Sequence, residues 1–164
     1  MKTKDKETYG DFSDWIEHGL CTWIDTKKDS IYKGYLNKGI YQGYGSLTKD
    51  RNIGDVTFEG TWNEDYKEGF GVEVKKGNKG FVGFYRDGEE ALGYKLRNNR
   101  RVKKLGEFDE TEHKNLQQEL CNEMRNVKAI CDERTAIAKY TYERLAGYHD
   151  KIVNSSVKGV LGYN

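Results

Sequence analysis

A recurring order of aromatic residues and glycines is the feature that most limits what this chain can fold into. Residues 32–45 contain an aromatic residue, a glycine two positions on, a large apolar residue, a turn and a closing Gly-aromatic-Gly, and residues 58–71 repeat that order in register. A further copy begins at Phe81 and an earlier one at Thr8, so successive copies begin 24, 26 and 23 residues apart. A fixed period in this range predicts a repeat architecture.

Each copy is expected to form one β-hairpin. Large residues at alternate positions, such as Phe58 and Trp62, direct one strand face towards a core, and a glycine such as Gly39 supplies the positive φ of a tight turn. A single hairpin is marginally stable, so four of them predict one antiparallel sheet of about eight strands. The closing glycines, for example Gly43 and Gly45, predict that an aromatic ring from a neighbouring copy lies against bare backbone.

The pattern aromatic-x-Gly-x-aromatic-x-x-Gly-x-x-x-Gly-x-Gly resembles the MORN repeat, and residues 8–95 are similar to four copies of it. The departures are Leu36 for the usual tryptophan, Asp65 for the turn glycine, Cys21 for a closing glycine, and Leu92 with Tyr94 for both closing glycines of the last copy. The resemblance implies an elongated twisted sheet used for protein association and, in some members, for contact with phospholipid head groups. It implies no catalytic residue.

Beyond the repeats the sequence becomes that of an amphipathic helix, expected over residues 107–147. Asp109 followed by Glu112 is typical of a capped helix start, and Gly147 is a favourable stop. One apolar stripe, widened by Ile130 and Ile137, consists of Leu116, Leu120, Met124, Val127, Cys131, Ala138 and Leu145. Such a broad stripe favours a helix that covers a sheet face, with a helix-mediated homodimer as the alternative. Because the helix is long, an overhang, a break near Arg134 or a second subunit is expected.

The predicted organisation is therefore mainly β with a C-terminal helix. Its segments are hairpin copies at 8–31, 32–57, 58–80 and 81–95 within 1–95, a basic joint at 96–106, the amphipathic helix at 107–147 and a tail at 148–164. The concentrated positive charge at the joint consists of Lys95, Arg97, Arg100, Arg101, Lys103 and Lys104. This run is expected to be a solvated connector, or alternatively a patch for anionic lipid head groups. The tail suits a last strand or a docking peptide.

Charge and hydropathy argue against several functional classes. The 28 lysines and arginines are balanced by 27 acids, which leaves a net charge of +1, so no nucleic acid partner is expected. No apolar run suits a signal peptide or a membrane span, which predicts a cytoplasmic protein. The expected state of the three cysteines is the free thiol, because their spacing suits neither a disulfide nor a metal site.

No catalytic, metal or cofactor site is predicted. The three histidines are far apart in the sequence and lack partners at ligand spacing. Cys21 and His18 come nearest to a nucleophile and base, but a separation of three residues in a strand places them on opposite faces. Acid pairs such as Glu64 with Asp65 fall at expected turns, where nothing excludes water or raises a carboxyl pKa.

These features predict a non-catalytic scaffold or adaptor that binds another protein. The expected binding surface is the aromatic sheet face left free by the helix, with Tyr35, Tyr41, Tyr44, Tyr66 and Phe84. The many lysines, asparagines, tyrosines and isoleucines are compatible with an AT-rich microbial or viral genome, in which a small repeat protein would sequester a cellular target. The alternative is a peripheral membrane protein that binds anionic phospholipid through the basic residues at the joint.

Overall fold

The computed structural model of the chain describes residues 1–49 and 56–160. Its elements are β1 Lys6–Ser13, β2 Ile16–Asp25, β3 Ser30–Asn37, β4 Ile40–Lys49, β5 Val56–Asn63, β6 Tyr66–Lys75, β7 Lys79–Arg86, β8 Glu89–Arg97, β9 Arg100–Leu105 and α1 Glu110–Val160. The strands form one antiparallel sheet in chain order, because each strand pairs with the next. This architecture confirms the predicted mainly β fold with a C-terminal helix. Residues 50–55 of the second copy and residues 161–164 of the predicted tail lie outside the described residues.

Each repeat copy forms a hairpin whose turn needs left-handed backbone. Lys38 and Gly39 have φ values of 52° and 78° at the β3–β4 turn. At the β5–β6 turn the same conformation falls on Glu64 and Asp65, with φ values of 49° and 69°. Short acidic side chains tolerate this region better than most residues, which explains how Asp65 occupies a position expected to hold glycine.

Glycine pairs make room for aromatic rings within each hairpin. A Cβ built on Gly34 or Gly45 would lie within 2.6 Å of atoms of the Tyr32 ring or its hydroxyl. Phe58 lies across Gly71 in the same way. The ring therefore comes from the same copy, and the expectation of a ring from a neighbouring copy is wrong. Gly43 has a different role, because its φ of 66° lies in the bulge that shifts the β3–β4 register.

The fourth hairpin has a closing glycine, Gly93, which lies one residue away from the position that the repeat pattern predicted. Gly83 pairs with Gly93 across β7 and β8, as Gly34 pairs with Gly45 across β3 and β4. The bulge shifts the β3–β4 pairing by two residues but the β7–β8 pairing by only one. Gly93 therefore lies between positions 92 and 94, where the repeat pattern predicted the closing glycines. Leu92 and Tyr94 therefore do not replace closing glycines.

The predicted basic joint is solvated, as expected, but it is not an irregular connector: it contains the end of β8, a turn and the strand β9. Asn98 and Asn99 form a tight turn with φ values of 50° and 61°, and β9 returns alongside β8. Asparagine is one of the few residue types that adopt this conformation readily, so the Asn-Asn pair allows the hairpin to close. The sheet consequently has nine strands in the described chain where about eight were expected.

The helix begins as predicted but continues beyond its predicted end. The Asp109 side chain accepts a hydrogen bond of 2.7 Å from the backbone N–H of Glu112, which caps the first turn. The helix then passes Gly147 and ends at Val160, so the described part of the predicted tail is neither a strand nor a separate peptide. α1 is continuous through Gly147, so this glycine does not act as the predicted stop.

The first half of α1 covers one face of the sheet, which we call the helix-covered face. Leu120, Met124, Val127 and Cys131 are buried there against Phe70, Val82 and Tyr94. The prediction of a helix on a sheet is confirmed for this half. The expected break near Arg134 is absent from α1, and Arg134 instead forms an ion pair with Asp11 at the edge of β1. The expected overhang is present, because residues 140–154 are all exposed.

Candidate protein-binding surface

The five rings predicted to bind a partner do not share one surface. Tyr44 and Phe84 pack among the residues of the helix-covered face, so the expectation that they lie on a free face is wrong. Tyr35 lies on the same side, edge-on to His18 at 6.0 Å between ring centroids. Tyr41 lies on the opposite face, which we call the open face, and Tyr66 lies at the turn between β5 and β6.

A ladder of aromatic rings forms the floor of the open face. Successive ring centroids lie 3.9 to 6.0 Å apart along Trp23, Tyr41, Tyr32, Trp62, Phe58, Tyr85 and Phe81. Lys67 covers part of it, with its ammonium 5.0 Å from the Phe58 ring centroid, and binds Glu73 at 2.6 Å. Most of these rings are buried. The ladder is therefore mainly a second hydrophobic core and offers a partner little area.

One shallow depression interrupts the open face near the first hairpins. Trp23, Leu36 and Tyr41 line it, together with Lys6, Glu17, Gly39 and Asp65. The Asp65 carboxylate accepts a 2.7 Å hydrogen bond from the backbone N–H of Tyr41, which ties the third turn to the second hairpin. Burial raises the pKa of the Tyr41 hydroxyl, so this group stays protonated. The depression thus presents an aromatic wall and a mixed-charge rim.

A second surface, the hairpin-turn edge, consists of the stacked turns of the first four hairpins. Backbone hydrogen bonds join neighbouring turns: Gly39 donates to Glu17 at 2.9 Å, and Gly88 donates to Lys67 at 3.0 Å. The first residue of the second strand in each hairpin occupies an equivalent register position, and these residues are Ile16, Ile40, Tyr66 and Glu89. The first three are apolar and exposed, and successive members are two strands, or about 10 Å, apart.

Trp15 stands at the head of this row and is the most exposed large apolar side chain described. Its side chain is 92% exposed, and its backbone has a φ of 66° in the β1–β2 turn. A bulky residue in left-handed backbone costs about 1 to 2 kcal/mol relative to glycine. The exposed indole gains almost no free energy from burial, so packing of Trp15 does not compensate for the strain of its backbone.

The turns beside this apolar row are acidic. Asp14, Glu64, Asp65, Asp87 and Glu89 contribute five carboxylates, against the two cations of Lys38 and Arg86. Most of these side chains are exposed. The hairpin-turn edge therefore combines apolar side chains with net negative charge, which favours a partner surface that carries apolar and basic residues.

The predicted basic residues divide between the two sides of the sheet. Arg101 lies over the Tyr94 ring at 4.0 Å and Lys104 binds Glu110 at 3.3 Å, both on the helix-covered side. Lys95, Arg97 and Lys103 instead line a depression with Lys75 and Lys79, two lysines that sequence reasoning did not select. Arg100 stands opposite Arg97 in the β8–β9 pairing.

Like charges face one another directly in this second group, which we call the basic cluster. Lys75 pairs with Lys79, Lys79 with Arg97, and Lys95 with Lys103 across neighbouring strands. Opposed like charges weaken strand pairing. Glu90 lies within the cluster and forms ion pairs with Lys75 and Lys95. The five cations of the cluster outnumber it, so the cluster retains a positive excess. An anion bound here would remove that repulsion.

The cysteines and histidines are the side chains best suited to metal binding or nucleophilic chemistry. No three His, Cys, Asp or Glu side chains among them lie together in a way that would hold a metal ion. Burial raises the pKa of the Cys21 and Cys131 thiols to about 11, which keeps both thiols protonated. His18 faces Tyr35 on the helix-covered side, away from Cys21. No helix in the described part of the chain is long and apolar enough to cross a membrane.

Comparison with known proteins does not identify the chain. It matches no protein-family model and no curated protein. The similarity to MORN repeats therefore depends on the spacing of aromatic residues and glycines described above. That spacing corresponds in the structure to hairpins in which one ring lies over a glycine pair.

Sequence reasoning did not select Trp15, although a signal was present. In the repeat alignment Trp15 occupies the turn-glycine position that Gly39 and Gly88 hold in other copies. A tryptophan is the least suitable replacement for a glycine that needs positive φ. The conflict between residue type and turn geometry was the available indication that this position is exceptional among the turns.

Proposed function

We propose that this chain is a non-catalytic binding protein that holds another protein along the hairpin-turn edge. Trp15 is the observation that carries the proposal, because it is both strained and almost fully exposed. Tryptophan and tyrosine are the side chains most enriched where binding energy concentrates, and Trp15 and Tyr66 lie at the two ends of the apolar row. The proposed binding surface is therefore the hairpin-turn edge, and not the aromatic sheet face that sequence analysis predicted.

The sheet supports this surface as a rigid scaffold. Each turn is hydrogen-bonded to the next, so the apolar row is ordered before a partner arrives. Pre-ordering lowers the entropic cost of association. The carboxylates beside the row would orient a partner through its basic residues.

The test compares wild type with Trp15→Asn in affinity purification from cell lysate, with identification by mass spectrometry. Asparagine adopts left-handed backbone readily, so this variant is expected to be about 1 kcal/mol more stable while losing the indole. A matched control is Val74→Ser, which alters another exposed apolar residue at the far end of β6. A protein retained by wild type and Val74→Ser but lost by Trp15→Asn supports the proposal. A partner kept by a stabilised Trp15→Asn variant contradicts it.

The basic cluster supports a second candidate, peripheral attachment of a cytoplasmic protein to anionic phospholipid. Lys75, Lys79, Lys95, Arg97 and Lys103 lie together on the open side of β6 to β9. Each cation near an anionic membrane contributes about 1 kcal/mol, and salt weakens the attraction.

Vesicle sedimentation tests this candidate. The chain is expected to bind vesicles that contain phosphatidylserine, but not vesicles of phosphatidylcholine alone, and to be released by added salt. The double variant Lys79→Glu/Arg97→Glu should abolish binding. The matched variant Arg101→Glu/Lys104→Glu changes two cations on the helix-covered side and should bind nearly as well as wild type. Equal losses in both variants would count against the basic cluster as the attachment site.

A further inference from the structure

The second half of α1 extends beyond the sheet with one apolar side uncovered. Lys139, whose ammonium lies 5.3 Å from the Tyr9 ring centroid, marks the place where the helix passes β1. Beyond it, Leu145, Tyr148 and Ile152 are 63%, 54% and 66% exposed. We call residues 140–154 the overhang. It carries three large apolar side chains on one side without a described neighbour from the sheet.

This apolar side continues the stripe that docks onto the sheet. Steps of four and three residues connect the buried positions Leu120, Met124, Val127 and Cys131, and the same steps continue through Arg134, Ala138, Thr141, Leu145, Tyr148 and Ile152. Spacing of this kind suits a helix that packs against a sheet, as the first half does, and equally one that packs against another helix. The sheet covers the first part of the stripe, so the overhang continues an established interface beyond the surface that fills it.

The charges beside the stripe differ in sign from those behind it. Arg144 and Lys151 flank Tyr148, with their charged groups 6.0 and 5.8 Å from its ring centroid. At 3.6 residues per turn, Glu143 and Asp150 fall on the opposite side of the helix. Arg144 and Lys151 therefore border the apolar stripe on one side, and Tyr142 and His149 lie along its other side. The two acids of the overhang point away from any molecule that would cover the stripe.

We propose that the overhang binds a single amphipathic helix of another protein, one whose apolar stripe is bordered by glutamate or aspartate. Such a helix would bury Leu145, Tyr148 and Ile152 and place its carboxylates beside Arg144 and Lys151. Opposite charges at these flanking positions determine partner choice between helices. This surface is separate from the hairpin-turn edge, so one protein could hold two partners.

The same charges disfavour a second copy of this chain. An antiparallel pair of overhangs would bring Arg144 and Lys151 of both copies together, and a parallel pair would place them beside Tyr142 and His149. In neither direction would these cations find an acid at a flanking position of the twin. Like charges at flanking positions oppose pairing. The homodimer considered from the sequence therefore becomes an outcome that the test must distinguish from the acidic helix.

The probe is a synthetic fluorescent peptide of three heptads with leucine at its core positions and glutamate at its flanking positions. A matched peptide has lysine at the flanking positions. Fluorescence anisotropy with the full chain should show binding of the glutamate peptide and at least roughly tenfold weaker binding of the lysine peptide. Arg144→Glu/Lys151→Glu should reverse this preference, Leu145→Asp/Ile152→Asp should abolish both, and Glu143→Gln/Asp150→Asn should change neither.

Three results would overturn the proposal. The first is equal affinity for the two peptides, which would show that the charges of Arg144 and Lys151 do not determine which peptide binds. The second is a dimer of the unliganded chain in light scattering that Leu145→Asp/Ile152→Asp dissociates, which would assign the stripe to a second copy. The third is attachment to phosphatidylserine vesicles that is lost in Arg144→Glu/Lys151→Glu, which would assign it to a membrane surface. All the altered residues are exposed, so folding should be retained.

Discussion

The two halves of α1 have the same apolar periodicity and opposite surroundings. Met124 in the docked half is 1% exposed, whereas Leu145, three heptads further along the same stripe, is 63% exposed. Sheet side chains such as Phe70 and Val82 cover the first half, and residues 140–154 lie beyond the sheet edge. Periodicity thus identifies the side of a helix that will pack, but the length of the sheet determines how much of that side is covered.

The largest difference between the two halves is expected from truncation of their apolar side chains. Met124→Ala removes a fully enclosed side chain and should lower the free energy of unfolding by about 2 to 5 kcal/mol. Leu145→Ala removes an exposed side chain and should change it by less than about 0.5 kcal/mol. Urea denaturation followed by circular dichroism measures both values. Similar losses in the two variants would mean that the overhang is packed in solution.

A smaller loss is expected where a glycine lies beneath a ring. A Cβ on Gly71 would lie 2.5 Å from the Phe58 ring, which is held by Trp62 and Tyr85 on either side. Gly71→Ala should therefore force the ring out of place and cost about 1 to 3 kcal/mol. The matched change Gly77→Ala lies where a Cβ meets nothing within 4 Å, although its φ of 74° adds backbone strain.

Thermal denaturation separates these two effects. Gly71→Ala should alter the near-ultraviolet circular dichroism of the ring ladder as well as the melting temperature, whereas Gly77→Ala should change the melting temperature alone. If Gly71→Ala left the aromatic signal unchanged and were no more destabilising than Gly77→Ala, the proposed role of the glycine pair as a seat for Phe58 would be wrong.

Acid is expected to weaken the docked half specifically, through His113. The ring is 1% exposed among Phe70, Tyr94 and Phe108, and its Nε2 lies 3.2 Å from the Val82 carbonyl. Burial lowers the pKa of His113 below its ordinary 6.5, with Arg101 acting in the same direction and Glu110 against it. The folded chain thus holds this ring neutral at a pH where the unfolded chain protonates it.

The sign of the pH effect follows from this difference. Stability is complete above the unfolded pKa near 6.5 and falls as the pH drops through that value towards the lower folded pKa. Melting temperatures above and below pH 6.5 should show the loss in wild type and in His149→Gln, which changes the exposed histidine of the overhang. His113→Gln, which cannot take up a proton, should have a shallower dependence. An identical slope in all three chains would exclude His113 as its source.

Much of the fold could be predicted because local chemistry determines it. The glycine and aromatic spacing predicts the hairpins, and Asp109 predicts where the helix begins, since each signal acts over a few residues. The helix end was wrong because Gly147 is a weak stop without a left-handed turn after it. The ninth strand was missed because β9 is mostly charged and lacks the apolar alternation that reveals a half-buried strand.

The candidate sites were harder to predict because they depend on which side of the sheet a residue faces. Tyr41 and Tyr44 were chosen together, yet a separation of three residues in one strand places their side chains on opposite faces of the sheet. Lys75 and Lys79 join the basic cluster only through strand pairing. Trp15 could have been noticed from the sequence, because a tryptophan contradicts the preference of a left-handed turn position for glycine.

The smallest effect is expected from Gly147→Ala, which changes only the helix propensity of the overhang. The variant tests whether the overhang unfolds independently of the docked half. Alanine is favoured over glycine by about 1 kcal/mol within a helix, and no neighbouring atom lies within 4 Å of the added methyl group. Sheet packing does not hold residues 140–154, so the change should raise helix content near 222 nm and slow amide exchange there, with little effect on global unfolding. A comparable gain in global stability would show that the overhang and the docked half unfold as one unit.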